Sequence, residues 1–313
     1  MAVNITKESE NVVSITGVLK AKEIDEKKTA DGRQYVRLTA LVGTEVEVDG
    51  KVVESEHKLE KMLFKIKKDG TENKMYNSSI ADWNKLISVA ACPEGETPSR
   101  VTIADSFMAS KLTENMWLPE GQTEVKSTTK INVGKLKAAP MDATKDEAKF
   151  IITGVLLKEP EDEIINNEPT NRLIITIGVF GYCDPTTNPD GNIQVFRLIA
   201  ASEGAVNWIR NNWHQYDTVR CQGAIINSVK TVITESQEGF GTIQKEDTVS
   251  VKEYRITGAN PPFDIERSYE QSDVKRAMAA RIARKEDVKT KAEQKASQAT
   301  VAAGGFVSDA MPF

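Results

Sequence analysis

The sequence predicts a mainly β protein in which one small five-stranded barrel is built twice in tandem. Three observations predict it: a repeated pentapeptide, the same order of segments after each copy, and apolar runs that alternate with the period of a strand. The pentapeptide "ITGVL" stands at 15–19 and again at 152–156. After the first copy come a charged, turn-prone stretch and the alternating run 33–42. After the second come a similar stretch and the run 172–180. Each half continues into a short helical pattern, 78–90 and 202–213, and each pattern opens on a Ser suited to cap a first turn. Strand-like runs follow at 101–108 and 219–226, and a last one closes each half at 130–136 and 248–256.

Three strands, a helix and two more strands make the order of a five-stranded Greek-key barrel of the OB type, with its helix between strands 3 and 4. Gly17 and Gly154 fall inside the repeated strands, where glycine weakens a sheet unless the strand bends sharply, as it must at a barrel corner. The predicted domains are 1–140, with a long hairpin insertion turning at Asp49-Gly50, and 149–263. Segment 264–303 reads as a charged, helical linker: Ala, Lys and Arg dominate, and Val274, Met278 and Ile282 make only a thin apolar stripe that leaves its end to fray. Residues 304–313 read as a flexible tip.

Composition narrows the function classes. With 39% hydrophobic residues the chain can build cores, and no apolar run reaches the roughly 20 residues of a spanning helix. The start carries no signal-peptide pattern, so a cytoplasmic protein is expected. Cys92, Cys183 and Cys221 are scattered and only His57 and His214 could join them, so no metal or cofactor site is expected. There is no phosphate-binding glycine loop, nucleophile elbow or His-centred triad, and a non-enzymatic protein is expected. The net charge of −5 speaks against a uniformly basic surface but leaves room for a local basic face, because acids cluster at 45–56 and 159–168.

The faces of the strands carry the candidate site. Successive side chains of a strand point to opposite sides. In the run 33–42, Val36, Leu38, Ala40 and Val42 suit a core, which leaves Arg33, Tyr35, Arg37 and Thr39 outside. A cation–ring–cation stripe fits single-stranded nucleic acid, whose bases stack on rings and whose phosphates meet guanidinium groups. The second run repeats this with Arg172, Phe180 and Tyr182. Lys20, Lys22, Lys65, Lys67, Phe196, Arg197, Arg220 and Lys230 extend the expected interface. At the base of the first hairpin, Lys58, Lys61 and Lys68 belong with it. Trp83 and Trp208 sit in the helical patterns and are expected to anchor cores.

The chain closes on "GGFVSDAMPF". Two such barrels followed by a linker and a terminal Pro-Phe resemble the bacterial and phage single-stranded DNA-binding proteins. The run "DTVRCQGAIINS" at 217–228 also resembles that family's fourth strand, with Asp105 in the first half where Gly223 stands in the second. The resemblance implies a protein that coats single-stranded DNA; two barrels on one chain depart from the single barrel of the common bacterial form, and that unusual arrangement suggests a phage-type version. It further implies that Met311, Pro312 and Phe313, with Asp309 beside them, bind replication, recombination and repair enzymes. The tip has one acid where that family has several. A structural or assembly protein with protein partners is the alternative.

Overall fold

The computed structural model describes residues 9–29, 31–67, 69–104, 109–165, 167–181, 191–238 and 241–303, with side chains for all but 229–238, 241–250 and 295–303. Strands β1 (Asn11–Lys28), β2 (Gln34–Val48) and β3 (Lys51–Phe64) come first, then helix α1 (Met75–Asn84). Next are β4 (Arg100–Thr102), β5 (Lys111–Trp117), β6 (Lys126–Asn132) and the two-residue β7 (Lys137–Ala138). The second half holds β8 (Glu147–Leu156), β9 (Glu161–Ile165), β10 (Glu168–Gly181), β11 (Asn192–Ala200), α2 (Glu203–Asn212), β12 (Thr218–Glu238) and β13 (Gly241–Ala259). Helix α3 (Gln271–Ala303) ends the described chain.

The strand pairings run round two rings. In the first, β1 pairs with β2, β2 with β3, β3 with β6 through the parallel bridge Glu60–Asn132, and β6 with β5; the bridge Val13–Ser110 returns to β1. In the second, β8 pairs with β10, β10 with β11, β11 with β13 through the parallel bridge Ile199–Arg255, β13 with β12, and β12 with β8. That is the ring order of a partly open OB-type barrel, each ring closing through a single parallel bridge and the second keeping β9 at its edge. The rings are stitched together where Asn11–Thr16 of β1 pairs with β8, and one apolar core runs through both, from Ile15 and Leu38 to Phe150, Ile175 and Ile225.

The repeated glycines have a physical reason. A Cβ on Gly17 would lie 2.2 Å from the carbonyl oxygen of Gly43, and one on Gly154 would lie 2.5 Å from that of Gly178. Both values are below any real contact, so both corners need glycine. The next residues pair alike: Val18 faces Gly43 and Val155 faces Gly178.

Several sequence expectations are corrected. The fourth strand of the first half is split into β4 and β5, and its last strand lies at Lys126–Asn132, earlier than the expected 130–136. Helix α1 starts at Met75 rather than at Ser78, and in place of the expected Ser the Asn73 side chain accepts from the Met75 amide. Ser202 does cap α2, accepting from the Ala205 amide. The acidic stretch after the second pentapeptide is no plain loop: it holds β9, whose hairpin with β10 passes through Asn167 at φ 66°. Helix α3 continues to Ala303 instead of fraying, and its first turns are docked: Val274 and Ala277, with Tyr269 before them, pack on Val155, Phe180 and Ile193. Arg281, 9% exposed, reaches across to Glu114 of β5 and donates from Nε and Nη2 to its two carboxylate oxygens. Trp83 is buried and Trp208 packs against the core, as expected.

Candidate nucleic-acid interface

The turn at Asp49-Gly50 takes φ 52° and 73°, both left-handed, as a two-residue type I′ hairpin turn requires. It sets the register of β2 against β3, so Tyr35 pairs with Phe64 and Arg37 with Met62. Leu59, Lys61 and Leu63 point inward, and Glu60, Met62 and Phe64 point out. The Tyr35 and Phe64 rings lie 5.7 Å apart at 45°. The Arg33 guanidinium sits 4.7 Å above the Phe64 ring, a contact worth about 0.5–1 kcal/mol at an exposed site. Met62 is 57% exposed beside them. The expected stripe is therefore a wider platform of two rings, two guanidinium groups and a thioether.

The ion pairs on this face are open ones. Arg33 meets Asp31 and Arg37 meets Asp25, each at 2.9 Å, and Lys27 meets Asp25 at 2.6 Å. Lys27, then Arg37, holds the Asp25 carboxyl below its ordinary range. Lys58 does the same to Glu60. Lys65 and Lys67 are exposed just past β3, and the Lys65 amide donates to the Gln34 carbonyl, which places it at the Arg33 end of the platform.

Other expected residues lie elsewhere. A bulge between Leu19 and Ala21 reverses the faces of β1. Lys22 consequently joins Ile24 on the inner side, and its ammonium donates to the carbonyls of Trp83 and Asn84 at the end of α1. Lys20 lines a polar pocket with Glu45, Glu54, Glu56 and Asp146. Lys61 is buried against the Gly134 carbonyl, and burial, with Lys135 nearby, lowers its pKa. Arg220 is held by Glu10, at 2.6 and 3.1 Å, which ties the start of the chain to β12 and lowers the Glu10 pKa.

The second ring keeps the scaffold and changes the face. Superposing the corner pairs Val18–Gly43 and Val155–Gly178 places Arg37 on Arg172; it places Tyr35 on Thr170. The closing bridges then place Lys58 on Arg197 and Lys130 on Glu253. Arg172 meets Glu163 at 3.3 Å and Glu253 at 2.8 Å; Arg197 meets Glu163 at 3.1 Å; Arg255 meets Glu253 at 2.7 Å and Asp49, from the first ring's hairpin, at 3.2 Å. The carboxylates of this network are mostly buried. Phe180 and Phe196, both 0% exposed, are core residues: Phe180 stacks 4.4 Å from Tyr269 beneath α3. Neither presents a ring to solvent, which corrects that expectation. Tyr182, Lys68, the Lys230 side chain and Asp309, Met311, Pro312 and Phe313 lie outside the described residues, as does Asp105.

Phe64 and Met62 were not among the sequence candidates. Their signal was the turn itself, which fixes what lies opposite Tyr35 and Arg37. The family model named YorF matches residues 9–295. This chain belongs to the YorF family. No curated protein matches it. Among solved structures, this YorF chain is similar to the wild-type single-stranded DNA binding protein from Thermus aquaticus, at 13% identity and a TM-score of 0.48 over 85% of this chain and 99% of that one. A deletion mutant of the same protein gives 13% and 0.47 over 82% and 96%. The small single-stranded DNA-binding protein from Streptomyces coelicolor gives 9% and 0.23 over 41% and 94%. The fold assigned to the YorF chain rests on its own strand pairing. Among its described residues no helix is long and apolar enough to cross a membrane, and no group of three or more His, Cys, Asp or Glu could hold a metal ion.

Proposed function

We propose that this protein binds single-stranded DNA without catalysis, on the outer face of β1, β2 and β3. One observation carries the reading: exposed Arg33 and Met62 and half-buried Tyr35, Arg37 and Phe64 share one outer sheet surface, with the Arg33 guanidinium over one ring and the second ring beside it. Rings accept any base by stacking, at about 1–3 kcal/mol per base, while cations follow the backbone. The exposed carboxylate partners of Arg33 and Arg37 can exchange for phosphates at small cost, because surface pairs are worth about 0–1 kcal/mol.

On this reading the protein coats DNA strands in the cytoplasm, the host's if it is phage-encoded, during replication or recombination. The terminal Asp309, Met311, Pro312 and Phe313 would recruit partner enzymes. The test is a titration of single-stranded and duplex oligonucleotides over a range of salt. Single strands are expected to bind more tightly, with affinity falling steeply as salt rises. Replacing Arg33, Tyr35 and Arg37 together by Ala is expected to abolish most of that binding in a folded protein. Unchanged affinity in the triple variant would remove this face from the interface, and no binding by the parent chain at low salt would favour the assembly role.

A further inference from the structure

Between the two rings runs a groove lined by Ser127 and Thr129 of β6, Thr176 of β10, Arg197 of β11, and Lys252 and Tyr254 of β13. Its cations are crowded. The Lys252 ammonium donates to the Thr129 carbonyl at 2.5 Å and stands 5.8 Å from the Tyr254 ring centre. Burial and the neighbouring Lys130 both lower the Lys252 pKa, and Lys252 in turn joins burial in lowering that of His57. An anion bound beside like charges relieves their repulsion. The carboxylates at the groove are already shared: Glu163 lies between Arg172 and Arg197, and Glu253 between Arg172 and Arg255. The buried Tyr254 hydroxyl has no hydrogen-bond partner among the described residues.

The groove also adjoins the platform. Along β3 the outward residues run Phe64, Met62, Glu60, Lys58, and Glu60 bridges to Asn132 of β6, the strand that carries Lys130 and Thr129. Six residues of strand separate Phe64 from Lys58, roughly 20 Å.

We propose that this junction groove seats backbone phosphates of a single nucleic-acid strand as it crosses from the first ring to the second, with Lys130 and Arg197 as the phosphate-binding side chains. Lys130 follows the lining residue Thr129 at the rim and meets Glu60 at 3.9 Å, and Arg197 meets Glu163 at 3.1 Å; with 52% and 61% of their side chains exposed, both can be reached by a ligand. The proposal rests on the single-strand reading above and adds the path of the strand. The second ring then contributes through Arg197 at its margin, because Arg172 and Arg255 on its outer face are held by the mostly buried Glu163 and Glu253.

The experiment compares the full chain with a double variant, Lys130→Gln with Arg197→Gln. The probes are oligothymidylates of about 8 nucleotides, within what one barrel face covers, and about 30, enough for two. On the longer probe the slope of log affinity against log salt is expected to fall by about 1.4 for two lost phosphate contacts at ~0.7 each. The shorter probe is expected to bind both proteins alike. A charge-retaining control, Lys130→Arg with Arg197→Lys, should keep the parent slope. An unchanged slope on the longer probe, or equal loss on both probes, overturns the groove while leaving the platform standing. If the parent chain binds neither probe, the single-strand reading fails and the groove falls with it.

Discussion

The outer faces of the two rings are one surface written twice with opposite outcomes. Arg37 and Arg172 occupy matching positions, as do Lys58 and Arg197. Around the first pair stand an exposed methionine, two rings and the carboxylates of Asp25 and Glu60, 26% and 31% exposed; around the second stand Glu163 and Glu253, 10% and 14% exposed and each shared by two arginines. Lys130 in one copy is matched by Glu253 in the other, a reversal of sign at a single register position. The difference shows that counting arginines on a strand does not locate a binding face. Exposed pairs such as Arg37–Asp25 are worth about 0–1 kcal/mol and open readily. Removing one partner from a largely buried pair costs about 3–5 kcal/mol, so Arg172 and Arg255 stay closed to a ligand, whereas Arg197, with 61% of its side chain exposed, keeps an open side.

The largest effect that would sharpen this contrast is on binding. Replacing Tyr35 and Phe64 together by Ala should cost about 1–3 kcal/mol for each base that stacks, read as loss of oligonucleotide affinity in a titration. Their folded state should change less than in a core truncation, since both rings are only half-buried. The opposite pattern is expected for Phe180→Ala: about 3–5 kcal/mol of stability lost in denaturant unfolding, with affinity per folded molecule retained. If Phe180→Ala instead abolished binding in a folded protein, the division between the rings would break.

The third effect lies at the seam. His57 is 1% exposed, bonded to Thr44 at 2.9 Å, and burial together with Lys252 of the second ring lowers its pKa from 6.5 to about 4. Below pH 6.5 the unfolded chain binds a proton that the folded chain refuses. Stability must therefore fall as the pH drops from 6.5 towards 4, by about 3 kcal/mol from this group. His57→Gln should flatten that part of the stability–pH curve, measured by chemical unfolding at several pH values. The smallest effect concerns Arg37→Gln. It should lower the salt slope of binding by ~0.7 and change stability by under about 1 kcal/mol. Arg172→Gln, its counterpart, should leave the slope alone.

Much of the fold was legible because local signals agreed. The pentapeptide marked both barrel corners, Asp49-Gly50 marked the hairpin, and Ser202 marked the start of α2. The site was legible only where alternation stayed regular. Arg33, Tyr35 and Arg37 sit where a period of two places them, but the bulge after Leu19 turned Lys22 inward, and no composition rule announces a bulge. Phe180 also lies on the outer side of its strand by alternation. It is buried because α3 covers that patch, a long-range event carried by Tyr269, Val274 and Ala277. The pairing of Arg172 with Glu163 depends on β9 folding back through Asn167, which the run of acids disguised as a loop.

The two glycine corners set what can be rewritten. A side chain at Gly17 or Gly154 would collide with main chain, whereas the outward positions of β2, β3, β10 and β11 lie on the far side of the sheet from that seam. The molecule is thus a chassis with two interchangeable panels. Grafting the first panel's residues onto the second, register for register, is an engineering route to a chain that carries the ring-and-guanidinium platform twice.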